Sequence, residues 1–355
     1  MRIFKIIVLT AILSMLVSCS KKESTPEQKQ VVLTKLYSIE GFPDDADSIR
    51  CFSASHSVNS DEMGYLYIYD EKSGSIKVFD KSGKFFSSIS KKGLGPEELE
   101  RFDTFYINKD TVCVFENRIK LKKFLRTGEY VSVKILNSEL LFIPINFSVL
   151  TDSTLLGRAN NFKKTAESAE ICCELAIFDK EFNKKIILAE PKVKFPDDAY
   201  TMEFVNPISA YNDKNIFVTS MSKSEYKIKV YSLSGDYVRS IKQNYIRTKY
   251  SKQEMEQILS EFPKESEHFY YFFDFKLAID DLTTDKNGYL WVLRNAGFYG
   301  SDIEYDIIED DRIISRFVCK NDGTKDFEKS IYIKNYFYII DHYNNSIEVY
   351  DYEFE

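Results

Sequence analysis

Three histidines are the first residues in this 355-residue chain whose chemistry could serve a site. Neutral imidazole is the commonest metal ligand among side chains, so two histidines brought together by the fold could share a metal ion. His56 and His342 both lie beside strand-like segments, whereas His268 lies in an aromatic stretch. The sequence contains no HExxH motif and no cysteine–histidine cluster. We therefore predict no metal or cofactor, and place His56 and His342 on a candidate binding surface.

Paired carboxylates are the second candidate group, and they occur at Asp44–Asp45, Asp197–Asp198, Asp280–Asp281 and Asp310–Asp311. In a glycosidase, two carboxyl groups from different chain segments stand about 5 to 10 Å apart and act as acid and as base or nucleophile. Adjacent aspartates are more often turn residues or solvated surface. We therefore assign no catalytic residue, and keep a glycoside hydrolase or lyase that uses acids at a channel rim as the alternative function.

Cys19 follows an N-terminal leader and has the most specific chemistry in the sequence. Arg2 and Lys5 precede an apolar run, Ile6–Val17, which is too short to span a bilayer, since about 20 residues are needed for that. This pattern is typical of a secretory signal peptide. The residues Leu-Val-Ser before Cys19 resemble the bacterial lipobox, in which the cysteine becomes the acylated first residue. We predict a signal peptide over residues 1–18, lipidation of Cys19 by acyl chains such as palmitate, and a flexible tether over residues 19–30.

The charge balance limits the kinds of partner. Residues 1–18 contain two basic side chains and no acid, so the mature chain keeps 46 of 48 basic residues against 55 acidic ones, a net charge of −9. Nucleic-acid binding needs a basic footprint, which this balance does not supply. We expect the membrane, through the lipid anchor, and a protein, peptide or glycan ligand as partners, and no nucleic acid.

Five cysteines follow Cys19, at positions 51, 113, 172, 173 and 319. An odd number cannot all pair within one chain, and the CxxC spacing of a zinc site is absent. Cys113 and Cys319 stand in strand-like segments, where a buried free thiol is the expected state. A single disulfide, formed in an oxidising compartment, stays open as the alternative.

A repeat shows which elements must position these residues. Six segments begin with an Asp or Asn turn and continue as strand, turn and strand: residues 61–89, 108–135, 151–188, 211–241, 285–318 and 334–355. The stretch before each segment supplies another strand, as in Phe102–Ile107 and Leu277–Asp285. The turns KSG, RTG and LSG each place a glycine where a positive φ is needed. Four-stranded antiparallel units every ~40–50 residues are the signature of a β-propeller.

The two ends of the repeat region predict how the ring closes. The last segment stops after its third strand, and an orphan strand, Val31–Ile39, precedes the first segment. Pairing that strand with Ser346–Tyr352 would complete the last blade and remove two exposed strand edges. We predict this closure.

The stretch GLGPEE, residues 93–98, separates the first and second repeats and has two interpretations. A phosphate-binding loop needs a lysine after its last glycine and then a helix. Here Pro96 follows Gly95, and two glutamates come next, whose charge would repel phosphate. We predict a corner between blades, in which Gly93 and Gly95 adopt unusual φ values and Pro96 blocks strand continuation.

An insertion over about residues 244–276 interrupts the pattern between the fourth and fifth repeats. Ser251 and Glu254 have capping-box spacing, and Met255, Ile258, Leu259 and Phe262 form one apolar helical face. An aromatic stretch follows, whose residues we place on the candidate binding surface: Phe269, Tyr270, Tyr271 and Phe272. The alternative is that these aromatics only pack the helix onto the propeller.

The chain resembles the six-bladed β-propeller lipoproteins of the Bacteroidetes, which are similar to NHL-repeat propellers. The resemblance rests on residues 67–102, which contain the GLGPEE corner, and on DDLTTDKNGYLWV, Asp280–Val292. We expect an all-β chain: a six-bladed propeller of four-stranded antiparallel blades over residues 31–355, with a short helical insertion between blades 4 and 5. We expect an envelope-anchored scaffold, facing the periplasm or the cell surface and held by the outer membrane, that binds a ligand or protein, and we favour this function over that of an enzyme.

Overall fold

The computed structural model describes residues 29–40, 58–71, 73–136, 142–164, 169–195, 206–220, 222, 224–252, 254–256, 275–296, 302–319, 329–341 and 346–355. These residues form 25 strands in six antiparallel sheets. The predicted all-β, six-bladed propeller is confirmed, and we number the blades in the order of the sequence repeats.

Blades 1 to 3 follow one another along the chain. Blade 1 contains β2 (Val58–Ser60), β3 (Leu66–Asp70), β4 (Ser75–Phe79) and β5 (Phe85–Ile89). Blade 2 contains β6 (Phe102–Asn108), β7 (Thr111–Glu116), β8 (Lys120–Leu125) and β9 (Tyr130–Ile135). Blade 3 contains β10 (Phe142–Val149), β11 (Thr154–Lys164), β12 (Ala169–Asp179), β13 (Lys184–Ala189) and β14 (Lys192–Phe195).

Blades 4 to 6 complete the ring. Blade 4 contains β15 (Pro207–Tyr211), β16 (Asn215–Ser220), β17 (Tyr226–Ser232) and β18 (Tyr237–Gln243). Blade 5 contains β19 (Asp281–Thr284), β20 (Leu290–Ala296), β21 (Ile303–Glu309) and β22 (Arg312–Cys319). Blade 6 contains β23 (Lys329–Ile333), β24 (Phe337–Asp341), β25 (Ser346–Phe354) and, as its outermost strand, β1 (Val31–Glu40).

The predicted closure is confirmed by the register of β1 on β25. The two strands are antiparallel, with Val31 opposite Phe354 and Ile39 opposite Ile347. The pairing continues beyond the strands, because the backbone N–H of Gln30 donates to the Glu355 carbonyl at 2.8 Å. The first and last described segments of the chain therefore share one blade.

Blade 3 has one strand more than predicted. The strand β12 is 11 residues long, but β13 pairs only with its Leu175–Phe178 part. The strand β14 pairs with the remaining part, with Ala169 opposite Phe195. An unpaired strand edge exposes backbone donors and acceptors, so β14 covers what β13 leaves open.

Six apolar clusters hold the ring together, and each lies between two neighbouring blades. The cluster between blades 6 and 1, for example, joins Tyr338 and Val349 to Leu66 and Phe79, and includes Ile39 from the closing strand. The first strands of neighbouring blades approach one another, as β6 does β10 and β15 does β19, so they surround the centre of the ring.

Buried aspartate turns explain the repeated sequence pattern. Asp285 Oδ1 accepts hydrogen bonds from the backbone N–H groups of residues 287 and 289, and Oδ2 accepts one from Trp291 Nε1 at 2.9 Å. Asp61 forms the same turn in blade 1 and accepts a hydrogen bond from the Tyr67 hydroxyl at 2.9 Å. A side chain that replaces missing backbone partners stabilises such a turn, so an aspartate stands where the first strands of blades 1 and 5 end, and Asn212 accepts similar backbone hydrogen bonds in blade 4.

The turn glycines are confirmed, but the reason given for the corner glycines is wrong. Gly83, Gly128 and Gly235 have φ values of +80°, +93° and +90°. Gly93 and Gly95 do not adopt positive φ. The Glu98 carboxylate folds back against Gly93 and accepts the Gly95 N–H at 2.9 Å. A side chain at position 93 would have to displace this carboxylate.

The cysteines are confirmed in part. Cys113 and Cys173 are buried and form no disulfide within the described part of the chain. Burial raises the pKa of the Cys113 thiol, because the thiolate would lose its hydration. Cys319 is only half-buried, since it ends an outer strand. Cys51 lies outside the described residues.

We expect Ile39→Ala to lower the free energy of unfolding by about 2–4 kcal/mol, because it opens a cavity between the closing strand and blade 1. Urea denaturation would measure this through the fluorescence of Trp291, which is the single tryptophan and is fully buried. The matched control is Leu36→Ala on the same strand, where the side chain is 45% exposed and the loss should be small. Equal losses in both variants would contradict the closure.

Candidate binding site at the entry face

One end of the ring collects the strand ends that lead from each blade to the next. Every blade runs antiparallel from its first strand to its fourth, so the fourth strand ends at the side where the next first strand begins. The second strand also ends at this side. We call this end of the propeller the entry face, since the chain enters each blade there.

The residues predicted for the binding surface, His56, His342 and Phe269–Phe272, lie outside the described residues, as do Cys19 and His268. Val58, the first described residue after His56 in the sequence, begins the first strand of blade 1. Phe275, the first described residue after the aromatic stretch, precedes the first strand of blade 5. Asp341 ends a second strand. Val58 and Asp341 are therefore strand ends of the entry face, whereas Phe275 lies in the connection between β18 and β19 and forms an isolated bridge with Lys249.

Two of the four acidic pairs lie within the described residues, and they differ in role. Asp310 and Asp311 form the turn between β21 and β22, at the end of the ring opposite the entry face, with φ values of +44° and +68°. Arg239 Nε of blade 4 donates to both carboxylate oxygens of Asp311, at 2.9 and 2.7 Å. This pair therefore links two blades at a turn.

Asp280 and Asp281 stand at the start of the innermost strand of blade 5, on the entry face. The Asp280 N–H donates to the Leu293 carbonyl at 2.8 Å, and Asp281 Oδ1 accepts the Leu282 N–H at 2.8 Å. Asp280 is half-buried and Asp281 is exposed.

The surroundings of this pair disfavour negative charge. Loss of hydration, and second the neighbouring Asp281 charge, raise the pKa of Asp280 to about 7. Loss of hydration also raises the pKa of Asp281, while its backbone hydrogen bond and Arg158 oppose the shift. Asp280 therefore holds a proton more readily than a fully solvated aspartate does.

Arg158 reaches the same place from blade 3. It lies on β11 and its Nη1 donates to the Pro207 carbonyl of blade 4 at 3.3 Å. Burial lowers the pKa of Arg158, and the Asp281 charge partly offsets this. The Arg158 Nε is buried and has no hydrogen-bond partner among the described residues. The sequence reasoning missed Arg158, although a charged residue between Gly157 and Ala159 in a strand was a signal.

The start of the insertion also belongs to the entry face, and its capping box is confirmed. The Ser251 N–H donates to Glu254 Oε2 at 2.7 Å, and the Glu254 N–H donates to Ser251 Oγ at 3.2 Å. Lys276 forms an ion pair with Glu254 at 2.6 Å, so the two ends of the insertion are joined. Of the predicted helix, only residues 252 and 254–256 are described as helical.

Two exposed apolar side chains complete the described part of this face. Leu94 is 82% exposed in the corner between blades 1 and 2, and Ile246 is 86% exposed after the last strand of blade 4. They are the most exposed large hydrophobic side chains in the described ranges. Exposed apolar groups next to polar ones are common at binding surfaces.

The described residues contain no group of three or more His, Cys, Asp or Glu side chains that could hold a metal ion. They also include no helix whose length and apolar character would let it cross a bilayer.

Comparison with known proteins points to one family. The family model DUF5128, described as a 6-bladed beta-propeller, matches residues 54–290. A Bacteroides fragilis protein assigned as exported has a similar structure, with 15% identity and a TM-score of 0.53, over 94% of this chain and 98% of that one. A DUF4221 member from Bacteroides vulgatus has 12% identity and a TM-score of 0.53, over 92% and 99%. At these identities the likeness shows the fold alone. A search of curated proteins returns no match.

We expect Asp280→Asn to stabilise the protein at pH 8 by about 1–2 kcal/mol and to change its stability little at pH 4. The unfolded aspartate titrates near 4 and the folded one at about 7. Between these values the folded protein binds the extra proton, so its stability falls as the pH rises, and an uncharged amide removes this fall.

Urea denaturation at both pH values would measure the effect, with Asp310→Asn, in the exposed turn, as the control that should show none. An equal effect of Asp280→Asn at pH 4 and pH 8 would contradict the raised pKa.

Proposed function

This chain belongs to the DUF5128 family of six-bladed β-propellers, and we propose that it is an envelope protein that binds a partner or ligand through its entry face. One observation carries the proposal: the entry face has both exposed apolar side chains and a partly unsatisfied polar group. The apolar side chains are Leu94 and Ile246, and the polar group is formed by Arg158, Asp280 and Asp281.

In the proposed mechanism, the propeller is a rigid frame that presents the segments between its strands to a partner or ligand. Six clusters lock the blades side by side, so the strand ends of the entry face keep fixed positions. Segments that join such strand ends can vary without disturbing the frame, which is why binding residues concentrate there. The predicted surface residues His56, His342 and Phe269–Phe272 belong to such segments.

The tether is the second part of the proposal. The basic start, the short apolar run and the Leu-Val-Ser-Cys sequence support export and acylation of Cys19. Two or three acyl chains hold a protein on a membrane almost permanently, since each buried methylene contributes about 0.8 kcal/mol. A structural relative that is assigned as exported agrees with an envelope location. We place the anchor in the outer membrane and relate the blades to NHL repeats by their aspartate turns.

An enzyme that uses rim carboxylates is the alternative, and its described basis is the Asp280–Asp281 pair with its raised pKa values. Successive residues of an extended chain point to opposite sides, so these two carboxylates do not face one another as a hydrolase pair would. A second acid from another segment would be needed. Binding therefore accounts for the described residues better than hydrolysis does.

We expect Cys19→Ser to move the protein from the membrane fraction to the aqueous fraction and to abolish labelling by an alkyne analogue of palmitate, because the acyl chains have no other attachment point. Detergent phase partition of cells that express the full chain would measure this. The control Cys319→Ser should stay in the membrane fraction and keep its label. A labelled, membrane-bound Cys19→Ser protein would overturn the tether.

We expect Leu94→Ser and Ile246→Ser each to weaken binding to the partners found on a peptide and glycan array about three- to tenfold, because each removes apolar contact area. Titration of the bound probe with the full chain would measure the change. The matched control is Met63→Ser, since Met63 is 63% exposed at the opposite end of the ring. If only Met63→Ser weakened binding, the assignment of the entry face would be wrong.

A further inference from the structure

The closing strand β1 begins at the end of the ring opposite the entry face. We call this end the turn face, because the turns between the first and second strands of the blades lie there, with Met63, Lys109 and Asp152 among their residues. The fourth strand of each blade runs from the turn face to the entry face, and β1 is the fourth strand of blade 6. Val31 therefore lies at the turn face, and Glu40 lies at the entry face.

Backbone and side-chain contacts fix the place where the preceding chain joins the ring. The Lys29 N–H donates to the carbonyl of Ile314, near the start of the outer strand of blade 5, at 2.9 Å. Gln30 and Glu355 exchange two backbone hydrogen bonds, at 2.8 and 2.9 Å. Lys29 Nζ lies 5.3 Å from the centre of the Tyr289 ring, which belongs to a turn of the turn face. The chain therefore enters the ring between blades 5 and 6, at the turn face.

The length of the predicted tether limits how the ring can lie on a membrane. Ten peptide bonds separate Cys19 from Lys29, a distance of about 35 Å at full extension. A flexible chain of this length has a root-mean-square span of about 17 Å. The ten residues of β1 rise about 30 Å, so the entry face lies that much farther from the lipid attachment point. The tether would have to run almost fully stretched along blade 6 to bring the entry face to the bilayer.

We infer that the acyl chains on Cys19 hold the propeller with its turn face towards the anchoring bilayer, so that the entry face points away from it. This inference rests on the proposed function, because the acyl chains belong to the proposed tether. The short tether and its fixed point of entry produce the orientation. A partner or ligand then reaches Leu94 and Ile246 from the side away from the membrane.

Energy transfer from a dye on the protein to acceptor dyes on lipid headgroups tests the orientation. The acylated full chain is purified from membranes and placed in vesicles of phosphatidylethanolamine and phosphatidylglycerol. Single dye sites are introduced at strongly exposed side chains, which leaves the fold intact: Met63→Cys and Asp152→Cys on the turn face, and Leu94→Cys and Ile246→Cys on the entry face. Each variant also carries Cys51→Ser and Cys319→Ser, because the other cysteines after Cys19 are buried.

We expect about threefold more energy transfer from the turn-face sites than from the entry-face sites, with a dye pair whose Förster distance is close to the length of β1. Twenty glycine and serine residues inserted after Ser24 raise the span of the tether to about 30 Å, which should reduce this contrast. An unchanged contrast in the insertion variant would show that the tether does not set the orientation.

Equal transfer from both faces, or more from the entry face, would overturn the orientation and leave the tether standing. The control Cys19→Ser should give no transfer from any site. If the chain with Cys19 also gave none, the tether itself would be wrong, and the orientation would be overturned with it. Binding through the entry face is measured on the array without a membrane, so its result is independent of these outcomes.

Discussion

The antiparallel pairing between β1 and β25 is the contact on which the rest of the ring depends. Without β1, blade 6 would lack its outermost strand, and Ile39 would be missing from the cluster that joins blades 6 and 1. Each blade packs one face on its predecessor and the other on its successor, so an incomplete blade weakens two interfaces at once. The strand β1 comes first in the sequence and completes the last blade, and so it closes the ring of six sheets.

The repeated strand order of the blades determines where the candidate site lies. Because the strands of each blade alternate in direction, the first strand of every blade begins at the entry face, and the segment just before it also reaches this face. Asp280 and Asp281 stand there as the first residues of blade 5, and Arg158 arrives from blade 3 across the start of blade 4. The blade order alone therefore brings residues more than 120 positions apart to the same side of the ring.

The contrast with other buried charges supports a binding role for this group. Glu116 is fully buried but pairs with Lys122 at 3.1 Å and accepts the Glu100 N–H at 2.6 Å. Lys122 in turn donates to the Glu98 carbonyl and so holds the corner between blades 1 and 2. Buried charges are tolerated when such partners surround them. Arg158 donates to one backbone carbonyl and has no carboxylate within ion-pair distance among the described residues, so it differs from Glu116, whose charge Lys122 neutralises.

Much of the fold was determined by the sequence itself, because its signals are local. Alternating apolar residues, aspartate turns and the glycines at 83, 128 and 235 each act within a few residues, and six repeats of them predict six blades. The orphan strand at Val31–Ile39 predicted the closure by simple counting. The capping box at Ser251 and Glu254 could be read in the same way, since both partners lie in one turn.

What only the tertiary structure decided concerns contacts between segments. Gly93 leaves room for the returning Glu98 side chain and does not adopt a positive φ, a difference that the sequence cannot show. Four acidic pairs look alike in sequence, yet of the two described ones Asp311 pairs with Arg239 at an outer turn, whereas Asp281 lies on the innermost strand of blade 5, where the charge of Arg158 acts on it. Burial and charge depend on which blades become neighbours, and that is settled only when the ring is closed.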